Sequence, residues 1–159
     1  MGRPLHDGRP VNGAFNDGET TMTKVMFLCT GNSCRSQMAE GFARAYGAGR
    51  FKVYSAGLMP AGVNPYAIRV MAEAGIDISG QRSKAIDSKL LEKMDMVVTL
   101  CGHADALCPQ TPAYVKRLHW PTEDPVGTRG TDEEIMAAFR KARDEIAGKV
   151  RGLVDTILI

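Results

Sequence analysis

A chain of 159 residues with 44% hydrophobic content can build one domain around a packed core and is too short for two ordinary ones. Charged residues make up 24% and the net charge is only +2, which argues against a nucleic-acid-binding field or an acidic tail. No apolar run reaches the length of a membrane span and the first 23 residues lack a signal-peptide core, so a cytoplasmic protein without nucleic-acid or membrane partners is expected.

Residues 1–23 are rich in Gly, Asn, Asp and Arg without periodicity, and read as a disordered extension. From Lys24 onward, short β-rich runs alternate with helical ones, the pattern of a parallel sheet with crossover helices. Residues 24–159 are therefore expected to form one α/β domain: a single open four-stranded parallel sheet with helices on both faces. Strands are expected at Lys24 to Leu28, Arg50 to Ser55, Met94 to Leu100 and Tyr114 to Leu118. A helix from Ser33 to Tyr46 should close at Gly47, and one opened by Asn64-Pro65 should stop at Gly75. The last helix has a capping box in Thr131 and Glu134. Ile135, Phe139, Ala142, Ile146, Val150, Leu153 and Ile157 recur at steps of three and four as one apolar stripe.

The chemistry is expected in the loop between the first strand and the first helix: Cys29, Thr30, Gly31, Asn32, Ser33, Cys34, Arg35, Ser36. A tight strand-to-helix loop turns several backbone N–H groups to one spot, where the helix dipole adds partial positive charge, so a tetrahedral oxyanion binds there. Cys29 at its entrance reads as a thiolate nucleophile, because the donors that hold an anion also stabilise ionised sulfur. Arg35 can fold back and hold two oxyanion oxygens with its planar fork. Cys34 lies within the loop, where packing suffices to account for it. For the Cys-x5-Arg spacing alone, a buried thiol and a surface arginine would be about as plausible.

Residues 29–41, Cys-Thr-Gly-Asn-Ser-Cys-Arg-Ser-Gln-Met-Ala-Glu-Gly, resemble the anion loop shared by low-molecular-weight tyrosine phosphatases and the arsenate reductases built on the same fold. Phosphate and arsenate have nearly the same shape and charge, so the loop does not choose between those activities. A phosphatase needs one cysteine and a general acid, whereas reducing arsenate takes two electrons, which thiols supply by ending as a disulfide. Four cysteines in a reducing compartment are unlikely permanent staples, and Cys101 and Cys108 are available for that duty. Cys101 ends the third strand as Cys29 ends the first, on the sheet edge where ligand sites gather. Cys101 and Cys108 are seven apart, about 10 Å along an intact helix, beyond the Cα separation of roughly 4.4–6.8 Å that a disulfide spans. Their pairing would require that segment to loop out.

With Asp124-Pro125 added, the set Cys29, Arg35, Cys101 and Cys108 resembles the thioredoxin-coupled arsenate reductases over residues 24–159. That resemblance implies attack of Cys29 on arsenate, proton donation by Asp124, attack of Cys101 on Cys29 to expel arsenite, and a Cys101–Cys108 disulfide. Thioredoxin would reduce that disulfide, with no bound cofactor and a monomer as the working unit. The runner-up is a low-molecular-weight phosphotyrosine phosphatase, although Val126 follows Pro125 where such enzymes use an aromatic to grip a phenyl ring. Asp124 alone would also suit a turn. A Cys/His zinc site built from Cys101, His103, Cys108 and His119 is disfavoured by spacing, and no metal is expected. Some relatives hold potassium with an Asn, a Glu, a Ser and an Asp. Asn32, Glu40 and Ser55 match the first three, but Lys84 stands where the Asp would fall.

Overall fold

β1 (Thr23–Cys29) carries five consecutive buried residues, Val25 to Cys29, with apolar side chains on both faces. A strand apolar on both faces belongs in the interior of a parallel sheet. In the computed structural model, which describes residues 22–101 and 109–157, β1 lies between β2 (Phe51–Gly57) and β3 (Met96–Thr99). β4 (Lys116–His119) completes a four-stranded parallel sheet of order β2-β1-β3-β4. β4 is short and half exposed, as befits a basic edge strand that discourages further pairing.

The register explains where chemistry collects. Cys29 pairs with Gly57 on one side of β1, and Leu28 pairs with Thr99 on the other. The carboxyl ends of the three strands are therefore level, and Cys29 and Cys101 both leave the sheet at the same edge. The chain steps from β1 outward to β2 and back across β1 to β3.

α1 (Arg35–Gly47) runs one residue beyond its expected end. Gly47 is still helical, and the stop comes from Ala48, left-handed at φ 51 with its N–H on the Arg44 carbonyl, followed by Gly49 at φ 81. α2 (Pro65–Glu73) opens as expected: the Asn64 side chain accepts from the Tyr66 N–H at 2.8 Å and Pro65 takes the first turn, where its missing N–H costs nothing. α3 (Ser88–Leu91), capped by Asp87, is too short to show periodicity and was not foreseen.

The third and fourth strands each begin two residues later than expected. Met94, outside β3, is nevertheless fully buried, and apolarity alone does not mark where sheet pairing starts. α4 (Asp132–Ile157) has the predicted reciprocal cap, Glu134 N–H to Thr131 Oγ1 and Thr131 N–H to Glu134 Oε1, both 3.1 Å. Its buried line is Met136, Phe139, Ala142, Ile146, Val150 and Val154. Ile135, Leu153 and Ile157 are only half-buried flanks, so the stripe is turned slightly from the expected one.

α2 is fastened to α4 by Tyr66 against Phe139, ring centroids 5.3 Å apart, and by Glu73 between Arg140 and Arg143. The Arg140 hydrogen bond, then that from Arg143, holds the Glu73 carboxyl down at about 2 from its ordinary 4.5. A depressed carboxylate contributes stability above its unfolded value and loses it as pH falls through the folded one. Glu73→Gln should therefore lower the melting temperature by roughly a few degrees at pH 7. The difference from wild type should shrink between pH 4.5 and pH 2, as followed by thermal melts across that range.

Candidate functional site

The loop from Cys29 to Ser36 is shaped by where its carbonyls go. Thr30 O accepts from the Met59 N–H at 2.8 Å, Gly31 O from Ala61 N–H at 3.0 Å, and Ser33 O from Asn64 N–H at 2.9 Å. Asn32 O accepts from Gln37 Nε2 at 3.0 Å and lies 2.9 Å from Ser83 Oγ. In a trans peptide the following N–H points opposite to the carbonyl. Four carbonyls drawn outward therefore turn the N–H groups of Gly31, Asn32, Ser33 and Cys34 inward, in front of the α1 N-terminus. That is the donor set for a tetrahedral oxyanion.

The turn requires Asn32 at φ 45, a left-handed conformation that Asn tolerates better than most residues. It also requires Gly57 beside it: a Cβ there would stand 2.5 Å from Asn32 N and 2.8 Å from Thr30 O, both backbone atoms.

Side chains at the loop fix a proton count. Asn32 Oδ1 accepts from the Lys84 backbone N–H at 2.8 Å, so its amide group faces Ser36 and donates to Ser36 Oγ at 2.8 Å. Ser36 Oγ lies 2.8 Å from Cys29 Sγ. With one donor already pointing at it, the Ser36 hydroxyl is directed to give its own hydrogen to the Cys29 sulfur. Cys34 is buried in the same loop, and burial first, then Asp124, push its thiol well above its ordinary value, so it stays protonated.

Arg35 differs from its expected pose. One terminal nitrogen donates to Thr122 O at 2.9 Å and the other sits 3.2 Å from Asp124 Oδ2. Among the described residues its buried Nε has no acceptor, so this edge of the guanidinium is the part left for an oxyanion. The fork is thus partly committed to positioning. Asp124 fills the turn role considered for it in sequence, since Oδ1 accepts from Val126 N–H and caps a 3-10 turn at Pro125–Gly127, while Oδ2 faces Arg35.

Two hollows share these residues. One of about 180 Å³ is lined by Cys29, Gly31, Ser33 and Cys34, the other of about 610 Å³ by Cys101, Pro121 and Thr122, and both by Thr30, Arg35 and Asp124. Cys101 Sγ lies 3.0 Å from Thr30 Oγ1, one residue along from Cys29. Cys29, Cys34 and Cys101 carry thiols, whereas Cys108 and His103 lie outside the described residues. The structure thus gathers every expected site residue it describes, and adds Gln37, Gly57, Ser83 and the Thr122 carbonyl. Ser83 and Thr122 reach the loop from far along the chain, so no spacing signals them.

Behind the loop, the potassium donors are already engaged. Glu40 Oε1 accepts from Ser55 Oγ at 2.5 Å and lies 3.8 Å from Lys84 Nζ, while Glu40 Oε2 takes two hydrogen bonds from Arg44. Asn32 Oδ1 is held by Lys84. This arrangement does not fit a cation, since an ammonium already neutralises the buried carboxylate. Among the described residues there is likewise no group of three His, Cys, Asp or Glu able to hold a metal ion.

A level sheet edge, an anion loop closed by arginine and a facing aspartate define a class. The chain belongs to the low molecular weight phosphotyrosine protein phosphatase family, whose profile matches residues 24–158. Its relatives narrow that further. It is 54% identical over 132 residues to an arsenate reductase of Halalkalibacterium halodurans, spanning 83% of this chain and 95% of that one. A solved arsenate reductase in its phosphate-binding state is 41% identical, with a TM-score of 0.71 over 86% of this chain and 99% of that one. A thioredoxin-dependent arsenate reductase of Corynebacterium glutamicum is 25% identical, with a TM-score of 0.70 over 92% and 69%.

Initial rates of turnover in potassium and in sodium chloride at equal ionic strength should agree. A several-fold stimulation by potassium would contradict the Lys84–Glu40 assignment.

Proposed function

We infer that the chain reduces arsenate to arsenite, with Cys29 as nucleophile and thioredoxin as the source of electrons. The observation that carries the reading is a thiol outside the anion loop, Cys101, at the rim of the hollow beside Thr30 and Arg35. A phosphatase has no use for it.

In the first step the Cys29 thiolate forms an S–As bond and one arsenate oxygen departs, taking a proton from Asp124, which stands beside Arg35 at the mouth. The inward N–H groups and Arg35 Nε spread the charge of the remaining oxygens. Cys101 then attacks Cys29 Sγ. An S–S bond forms, the S–As bond breaks, and its electron pair stays on arsenic, which leaves as arsenite. The Thr30 hydroxyl, 3.0 Å away, holds the Cys101 sulfur beside the loop for that attack. Cys108 attacks Cys101 in turn, releasing Cys29 and leaving a Cys101–Cys108 disulfide for thioredoxin. The part of Cys108 rests on the sequence resemblance. Such a relay works only where thiols are kept reduced, which suits the cytoplasm, and no described helix is long and apolar enough to cross a membrane.

The reading is tested by arsenate-dependent NADPH oxidation with thioredoxin and thioredoxin reductase. Wild type should turn over continuously, whereas Cys108→Ser should consume one equivalent of arsenate and stop with Cys29 bonded to Cys101. Cys108→Ser cycling as fast as wild type would overturn the relay.

The anion loop should also hydrolyse p-nitrophenyl phosphate slowly. That rate should vanish in Cys29→Ser, fall on the order of 10²–10³-fold in Arg35→Ala, and persist in Cys101→Ser, followed as p-nitrophenolate release.

A further inference from the structure

Gln37 is a polar side chain with no exposed surface, on the first turn of α1. Both N–H groups and the oxygen of its amide are engaged. Nε2 donates to Asn32 O at 3.0 Å and to Arg82 O at 2.8 Å, and Oε1 accepts from Gln81 Nε2 at 2.7 Å. Two carbonyls facing one nitrogen leave no doubt about which end of the amide is which. Gln81 Nε2 also reaches the Gln37 backbone carbonyl at 3.1 Å, so the side chain is braced from both ends. Ser83 joins the same brace, with its hydroxyl 2.9 Å from both Gly31 O and Asn32 O and accepting from Ala61 N–H at 3.2 Å.

The partners of the loop carbonyls are not equivalent. Thr30, Gly31 and Ser33 are held by backbone N–H groups of residues 59–64, which any side chain there would supply. Among the donors described for Asn32 O, both are side chains, and Asn32 is the loop's left-handed residue. Its peptide plane is the one whose direction depends on particular side chains.

We propose that Gln37, braced by Gln81 and assisted by Ser83, is a positioning residue: it holds the Asn32 carbonyl outward and thereby aims the Ser33 N–H at the oxyanion. Without the amide donor, the Asn32–Ser33 peptide is free to rotate, and the anion loses one of its inward hydrogen bonds. The residue touches neither substrate nor thiol and acts wholly through backbone orientation. The inference rests on the loop being the arsenate site, and extends it to what sets oxyanion affinity.

The test is calorimetric titration of reduced wild type, Gln37→Met, Gln37→Glu and Ser83→Ala with inorganic phosphate, alongside the arsenate KM and thermal melts. Phosphate keeps the outcome separate from redox chemistry. Gln37→Met should weaken phosphate binding and raise the arsenate KM by the same factor, about tenfold, the size of one lost charge-assisted hydrogen bond. Ser83→Ala should shift both in the same direction by less. Gln37→Glu should bind weakly at neutral pH and recover relative to wild type as the carboxyl protonates and regains a donor. Gln37→Met should show no such recovery. If Gln37→Met melts lower but binds phosphate as wild type does, Gln37 only packs, and the proposal falls. Should Gln37→Met fail to fold, Gln37→Glu and Ser83→Ala decide it by the same comparison, and unchanged phosphate binding in both overturns it. Wild type that binds neither phosphate nor arsenate would remove the arsenate reading itself.

Discussion

Peptide planarity makes the site. A carbonyl and the N–H that follows it point in opposite directions, so a loop becomes an anion cradle when its carbonyls find partners outside it. Residues 59–64 provide those partners for Thr30, Gly31 and Ser33, and the side chains of Gln37 and Ser83 provide them for Asn32. The left-handed turn at Asn32, costing on the order of 1 kcal/mol for a residue with a Cβ, is stable only because these bonds overdetermine it. Gly57 belongs to the same constraint, since any side chain there would press on the loop backbone.

The same geometry governs the sulfur. The Lys84 N–H sets the Asn32 amide, the amide sets the Ser36 hydroxyl, and the hydroxyl is left to donate to Cys29. Lys84 reaches further, because its ammonium also answers the buried Glu40 carboxylate behind the loop. One residue thus ties the loop's electrostatics to its hydrogen bonding. On the proposed reading, what separates reduction from hydrolysis lies outside the loop, at Cys101 just beyond β3, brought level with Cys29 by the sheet register.

Much of this was legible in the sequence, for identifiable reasons. Continuous apolar runs gave the interior strands, Asn64-Pro65 and the Thr131/Glu134 box gave two helix starts, and the strand-loop-helix order gave the loop whose carbonyls turn outward. Local pattern misjudged boundaries where tertiary packing decides them: α1 stops on a left-handed Ala48 and not at Gly47, and β3 begins after the already buried Met94. The pose of Arg35 was not legible either, because Thr122 and Asp124, which engage its terminal nitrogens, lie far along the chain. Gln37 and Ser83 escaped notice because their importance lies in which carbonyl they face.

The most direct measurement of the central claim is a phosphate titration of reduced wild-type protein, followed by the amide and arginine N–H resonances in nitrogen-15 correlation spectra. The account predicts the largest downfield proton shifts at the backbone N–H groups of Gly31, Asn32, Ser33 and Cys34 and at Arg35 Nε. Saturable phosphate binding that leaves those five resonances in place would contradict it.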